Sequence, residues 1–136
     1  MTIDENILRR VPAMTEWRHF LHAHPETAFH EHQTSDFVAG RLASFGIKVH
    51  RGLGKTGVVG TLQKGRHPGR TIGLRADMDA LDTAEENTLP YGSGTPGKMH
   101  ACGHDGHTAM LLGAAQHLAE DGNFEGTVHF IFQPAE

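Results

Sequence analysis

Apolar side chains in the first third of the chain recur at helical spacing in two segments. In residues 12–23, the side chains of Trp17, Phe20 and Leu21 fall on one face of a helix. Residues 31–45 repeat this spacing, and the glycine that follows is a typical C-terminal stop. The pattern therefore predicts two amphipathic helices joined by a turn.

The rest of the chain contains short apolar runs bounded by glycine-rich turns, which are typical of β-strands. Between the last two runs, residues 80–101 have no hydrophobic period and form a predicted long loop, which in a compact domain is usually functional or disordered. Residues 107–119 are apolar nearly all round, which predicts a buried helix. The predicted strands are residues 47–50, 57–63, 71–76 and 127–133.

The alternation of helices with strands favours an α/β fold. We expect a mixed, mostly parallel sheet with helices on both faces. The last predicted strand is expected to lie at an unpaired edge of this sheet, which favours association with another chain.

Composition and charge exclude several classes of protein. The 136 residues are 38% hydrophobic and 21% charged, as in an ordinary globular domain. The formal net charge of -4 provides no basic surface for nucleic acid, and no apolar run approaches the roughly 20 residues needed to cross a membrane. One cysteine excludes an internal disulfide, and the N-terminus lacks the apolar segment of a signal peptide. We therefore expect a cytoplasmic protein that binds neither nucleic acid nor membrane.

A cluster of metal-binding residue types lies in residues 100–110, HACGHDGHTAM. The side chains of Cys102 and His104 can face one space from a loop, and sulfur with imidazole suits zinc, whereas histidine with carboxylate also suits manganese, cobalt or nickel. Alternatively, the segment is an ordinary helix start with Asp105 as its N-cap and a buried free thiol. Spacing alone leaves both interpretations open, and a stable site needs further ligands.

Acidic residues follow two of the predicted strands. Asp77 and Asp79 come at the end of the strand 71–76, where ligands gather in open α/β sheets. Glu136 follows the strand 127–133 and can reach the same edge, where a glutamate beside a metal acts as a general base. The alternative is a solvated junction between strand and loop, with no chemical role.

Four segments resemble one enzyme family when taken in this order and at these separations. They are WRHFLHAHPETAFHEHQTSDFV, LRADMDAL, PGKMHACGHDGHTAMLLGAA and GTVHFIFQPAE. The chain resembles the hippurate hydrolase and indole-acetyl-amino-acid hydrolase family, the amidohydrolase branch of the aminoacylase/carboxypeptidase metallopeptidases. The similarity extends over nearly the whole chain.

The resemblance implies a role for individual residues. Cys102 and His104 match metal ligands of a two-metal site, and Glu136 matches the general base that activates the bridging water. Asp79 matches the aspartate that orients a ligand, whereas Asp77 occupies a histidine position of the wider superfamily and is not expected to be a ligand. The roles of His100 and His107 stay open. Asp82 departs from the family, which has proline after DMDAL, and this difference affects the loop.

The resemblance also implies an activity: hydrolysis of N-acyl amino acids, such as hippurate, to a carboxylic acid and an amino acid, with two divalent ions (Mn, Zn, Co or Ni). Family members are much longer and form homo-oligomers. Residues 1–136 therefore match the N-terminal portion of the catalytic domain, without its C-terminal part, the second glutamate, the later histidine ligands or the lid and dimerisation domain. We expect this chain alone to be inactive; a non-catalytic truncated fragment and a single-metal structural protein are the alternatives.

The other histidines are expected to be surface or packing residues. They are His19, His22, His24, His30, His32, His50, His67, His117 and His129.

Overall fold

A computed structural model describes residues 3–66 and 69–136, so that His67 lies outside the described residues. The predicted segments are present, with an additional short helix before them. In chain order the elements are α1 (Glu5–Leu8), α2 (Val11–Ala23), α3 (His32–Ser44), β1 (Lys48–Leu53), β2 (Gly57–Lys64), β3 (Arg70–Asp77), α4 (His104–Glu120) and β4 (Gly126–Gln133).

The strands form one mixed sheet in the order β1-β2-β4-β3. This confirms the α/β class, but the expectation of a mostly parallel sheet is wrong for the described strands. The β1–β2 and β2–β4 pairs are antiparallel, and only β3 and β4 are parallel. The reason lies in the connections, because only β3 and β4 are joined by a segment long enough to contain a crossover helix, α4.

The helices that contact the sheet cover one of its faces. Val128, Phe130 and Phe132 alternate along β4 and join the core with residues of α3 and α4, which also contact each other. The side chain of Ile131, on the opposite face, is 37% exposed. Helices on both faces are therefore not found among the described residues, because the crossover helix α4 lies on the same face as α3 and shares its core.

The last strand lies inside the sheet rather than at its edge. β4 pairs with β2 along seven residue pairs and with β3 along eight. The expected unpaired edge at this strand is therefore wrong, and the edges of the described sheet are β1 and β3.

The helix α4 begins three residues earlier than the apolar pattern predicts. Its N-cap is Gly103, which has a φ of 92°, and no side chain caps the helix there. Asp105 therefore lies inside the first turn, 1% exposed, and is not the N-cap. Cys102 is exposed rather than a buried thiol. Both parts of the alternative interpretation of this segment are thus wrong.

The helix α4 is also not buried all round. Met110 is 56% exposed, whereas Leu112 and Ala115 are fully buried in the core. Among the described helices, none has the combination of length and hydropathy needed to span a bilayer.

Candidate metal centre

The parallel strands β3 and β4 bring the predicted acidic residues to one end of the sheet, where both strands finish. Their last paired residues are Asp77 and Gln133, and the backbone N–H of Met78 donates to the carbonyl of Gln133 at 3.0 Å. The segments that follow, with Asp79 in one and Glu136 in the other, therefore leave the sheet side by side. This is the strand end at which ligands bind in open α/β sheets.

His104 lies between these two segments and is 3% exposed. Its Nδ1 atom lies 2.9 Å from the backbone carbonyl oxygen of Asp79 and 3.1 Å from the Oδ1 atom of the same residue. Both partners are acceptors, so Nδ1 donates to them, and Nε2 is the ring nitrogen that faces the other potential ligands. Such a bond to a carboxylate fixes the tautomer and the ring orientation of a metal-binding histidine.

The free Nε2 atom of His104 points toward a group of potential ligands. The Cys102 sulfur, a His104 ring nitrogen and a Glu136 carboxylate oxygen lie within 4.8 Å of one another. The Nε2 atom is 3.4 Å from the Glu136 Oε2 atom. Thiolate, imidazole and carboxylate are all ligands of zinc, and bond lengths of about 2.0–2.3 Å fit donors at this separation. The residues present therefore fit a divalent metal ion.

A second group of potential ligands includes the same histidine, whose Nε2 atom also lies 3.6 Å from the Asp77 Oδ2 atom. Asp77, His104 and His107 also offer ligand atoms within 4.8 Å of one another. The Nδ1 atom of His107 lies 2.7 Å from the Asp77 Oδ1 atom, and the rings of His104 and His107 stack at 5.5 Å between centroids. Burial alone would raise the pKa of Asp77, but the hydrogen bond with His107 and the proximity of His104 lower it. Asp77 is therefore an ionised carboxylate beside the metal-binding side chains.

His100 is close to the cluster in sequence but joins neither group of ligands. It is 4% exposed, and neither of its ring nitrogens has a hydrogen-bond partner among the described residues. Burial lowers the pKa of His100 to about 4, so its ring is neutral.

A buried network that the sequence pattern did not predict supports the first turn of α4. The Oδ2 atom of Asp105 accepts hydrogen bonds from His22 Nδ1 at 2.8 Å and from Arg18 Nε at 3.2 Å. The other ring nitrogen of His22 lies 3.0 Å from the Glu85 Oε1 atom. The helix α2 thus connects the start of α4 to the long loop. In the sequence, the one indication of this network is that His22 lies on the same helical face as Leu21 and Arg18. A histidine that only packs against the core shows the same pattern, so the pattern does not predict the network.

The electrostatics of this network favour a charged histidine. Burial alone would lower the pKa of His22, but the hydrogen bonds and charges of Glu85 and Asp105 raise it above its ordinary value. The pKa of Glu85 falls to about 2, through the backbone N–H of Ser93 first and His22 second. His22 was expected to be a surface or packing residue; it is buried between two carboxylates, Glu85 and Asp105, which favour its charged form.

Comparisons with known proteins agree with this geometry. The profile of peptidase family M20/M25/M40 matches residues 73–136, which include both groups of potential ligands. The chain is 53% identical over 119 residues to the hippurate hydrolase of Campylobacter jejuni, covering 88% of this chain and 30% of the relative. Over these residues the chain resembles peptidase family M20/M25/M40. The resemblance to the amidohydrolase branch of this family is thereby confirmed.

Two further relatives of this family are similar over most of the chain. The N-acyl-L-amino acid amidohydrolase of Geobacillus stearothermophilus is 51% identical over 122 residues, covering 88% of this chain and 32% of the relative. The crystal structure of the Bacillus subtilis protein YxeP, described as a dinuclear metal binding peptidase of the M20 family, superimposes with a TM-score of 0.87. YxeP is 41% identical, and the match covers 98% of this chain and 37% of YxeP. The chain thus spans about a third of the length of the curated relatives it matches.

The structure brings the sequence-predicted site residues to one place. Cys102, His104 and Glu136 form one group of ligand atoms, and Asp79 lies on the other side of the His104 ring. Their roles in catalysis and metal binding stay predictions.

Proposed function

We propose that this chain forms part of the active site of a metal-dependent amidohydrolase that cleaves the amide bond of N-acyl amino acids. The observation that carries this proposal is the His104 side chain, which is held through Nδ1 by Asp79 and exposes Nε2 toward Cys102 and Glu136. The names of the Campylobacter and Geobacillus relatives support the substrate class, with hippurate as the first compound to test.

Each residue of the site has a distinct task in this mechanism. Cys102 and His104 hold metal, and Asp79 keeps the His104 ring in the tautomer and orientation that metal binding requires. Two divalent ions, when bound, supply Lewis acidity toward the amide carbonyl and toward water. Glu136 takes a proton from the attacking water and delivers it to the nitrogen of the leaving amine. Cysteine ligation favours zinc, and manganese, cobalt and nickel are the other candidates.

We also propose that residues 1–136 form the N-terminal portion of the catalytic domain of a longer, homo-oligomeric enzyme. The one-third coverage of the curated relatives supports this division. The remaining ligands and a lid and dimerisation domain then belong to the continuation of the chain. Residues 1–136 by themselves are inactive in this proposal, because Cys102 and His104 are too few ligands to hold two ions tightly.

Replacement of Glu136 by glutamine in the complete gene product tests the proposed function. The amide side chain has nearly the same shape but cannot take a proton, so we expect kcat for hippurate to fall by about 10²–10⁴-fold. The amount of bound metal, measured by elemental analysis, is expected to stay the same. Full activity of the Glu136→Gln variant would exclude Glu136 as the base.

A single structural metal ion is the second candidate function, and the Asp77–His104–His107 group favours it. That group needs a fourth ligand to complete a structural site. Metal titration distinguishes the two candidates, since Cys102→Ser weakens binding at the catalytic group and His107→Ala weakens binding at the second group.

A further inference from the structure

Glu31 is a carboxylate that is 0% exposed, at a distance along the chain from every predicted site residue. Its Oε2 atom accepts a hydrogen bond from Thr56 Oγ1 at 2.5 Å, and its Oε1 atom accepts one from the backbone N–H of Ala135 at 3.1 Å. Among the described ion pairs, none involves Glu31. A buried carboxylate with two neutral donors is costly for the fold, so a contribution to stability alone does not account for it.

The Glu31 carboxylate does not cap the helix α3, although Glu31 lies at its N-cap position. Glu26 caps the helix instead, through hydrogen bonds from the backbone N–H groups of Gln33 and Thr34 at 2.9 and 2.7 Å. The Glu31 carboxylate is therefore free for the long-range contact with Ala135, 104 residues away.

Ala135 has a backbone conformation that an alanine rarely adopts. Its φ is 51°, in the left-handed region, and such a residue persists where surrounding contacts fix it. Its carbonyl accepts a hydrogen bond from Gln133 Nε2 at 3.1 Å, and Gln133 Oε1 in turn accepts one from Arg75 Nε at 2.6 Å. Glu31 holds the N–H of Ala135 on the other side of this turn. The direction in which the next residue leaves the turn is thereby set.

That next residue is Glu136, whose side chain is 58% exposed. Near its carboxylate lie the His104 Nε2 atom, at 3.4 Å, and the Cys102 sulfur, within 4.8 Å. Surrounding side chains therefore do little to orient Glu136, and the backbone of the turn determines where its carboxylate lies.

We propose that Glu31 is a positioning residue for Glu136, acting through the backbone N–H of Ala135. The inference rests on the proposed function, in which Glu136 is the general base. A shift of about 1 Å in a catalytic group can lower a rate about 100-fold, so loss of the Glu31 contact is expected to act on kcat.

Two substitutions at Glu31 separate the hydrogen bonds from the charge. Glu31→Met keeps the approximate volume but removes both acceptors. Glu31→Gln can still accept from Ala135 through its carbonyl oxygen, while its amide donates to the Thr56 hydroxyl, which also accepts hydrogen bonds. In the complete gene product, we expect Glu31→Met to lower kcat about 10–100-fold with little change in KM or in bound metal. We expect Glu31→Gln to stay within about 3-fold of the wild type.

A double substitution tests whether Glu31 acts through Glu136. In a background with Glu136→Gln, the further change Glu31→Met is expected to have no effect on kcat, because the base that it positions is already absent. Multiplicative losses in the double variant would overturn the proposal, since they would show that Glu31 acts by another route.

Hydrogen exchange at the Ala135 amide provides a readout that does not depend on activity. We expect Glu31→Met to speed exchange at this amide about 10–100-fold, whereas Glu31→Gln retains the protection. Should Glu31→Met fail to fold, Glu31→Asp takes its place, because a carboxylate one methylene shorter cannot reach Thr56 and Ala135 together. Unchanged exchange and unchanged kcat in Glu31→Asp would then contradict the proposal.

Glu26→Met is the matched control. It removes the cap of α3 and lowers the stability of the same region, but the Ala135 N–H donates to Glu31 and not to Glu26. It is expected to leave both kcat and Ala135 exchange unchanged. Full activity of Glu136→Gln overturns the proposed function itself. Loss of activity in Glu136→Gln, together with full activity in Glu31→Met, overturns only the role of Glu31.

Discussion

At the scale of single residues, the two ring nitrogens of His104 have different partners. Nδ1 is held by the backbone and side chain of Asp79, which leaves Nε2 for the group that includes Cys102 and Glu136. These four residues were predicted from the sequence, but the roles of the two nitrogens were not. A tautomer depends on what lies around the ring, and the partner of Nδ1 is 25 residues away along the chain.

The pH dependence of stability tests the role of His22. Its pKa in the folded protein is raised above the ordinary value of 6.5. The stabilisation by its charge is therefore fully present below about pH 6.5 and is lost as pH rises through the folded-state pKa. We expect the free energy of unfolding, measured by urea denaturation, to fall as the pH rises from about 6.5 through the folded-state pKa of His22.

Substitution of His22 checks the same prediction. His22→Leu removes the cation and leaves Glu85 and Asp105 in place, with Arg18 as the other cation bound to Asp105. We expect a loss of about 3 kcal/mol below pH 6.5 and a weaker pH dependence above it. His50→Gln, at an exposed position on β1, is the control and is expected to change stability by less than about 0.5 kcal/mol. A pH profile that is the same in wild type and His22→Leu would contradict this role.

At the scale of the elements, the parallel pairing of β3 with β4 places the candidate metal centre at the C-terminal ends of these two strands. The hydrophobic pattern predicted both strands and the helix between them, because the spacing of apolar residues within each segment indicates its type. It did not predict the start of α4 correctly, since His104 and Asp105 are polar and are buried only through their partners in α2 and in the segment after β3. The sheet topology was also predicted incorrectly, because strand order depends on connections rather than on local pattern.

Glycine substitutions test the pairing of these strands. Gly126 begins β4 with a φ of 141°, and a Cβ atom there would collide with the carbonyl oxygen of Arg70 on β3. Gly126→Ala is therefore expected to lower the free energy of unfolding by about 1–3 kcal/mol or more, as measured by urea denaturation. Gly40→Ala in α3 is the matched control, because a Cβ there has no neighbour within 4 Å. It is expected to raise stability by up to about 1 kcal/mol. Equal effects of the two substitutions would contradict a steric conflict specific to the β3–β4 pair.

At the scale of the whole molecule, the chain brings two groups of potential ligands together at one end of the sheet, and we propose that the continuation of the chain supplies further ligands. Both acidic segments and the helix α4 meet there, and the chain spans about a third of its curated relatives. Four short segments were enough for the resemblance to the family, and three of them contain the potential ligands.

Metal binding by the 136-residue chain tests the incomplete site. With few ligands, we expect a Kd for zinc of about 10–100 μM, so that 1 mM zinc stabilises the chain by about 1.4–2.7 kcal/mol. Thermal denaturation with zinc and with a chelator measures this difference. Cys102→Ser is expected to remove most of it without a loss of stability in the metal-free chain, because Cys102 is exposed. We also expect no turnover of hippurate by this chain, and clear turnover would refute the division of the active site proposed above.

The sequence by itself determined the types of the main elements, the candidate metal ligands and the resemblance to the family. These follow from local periodicity and from short segments, which involve residues close together in the chain. Only the tertiary structure decided that the helices cover one face of the sheet, that His22 supports Asp105 and that Glu31 holds Ala135. The partners in the last two contacts are 83 and 104 residues apart, and a buried polar side chain is recognised as such only when the fold brings its partner to it.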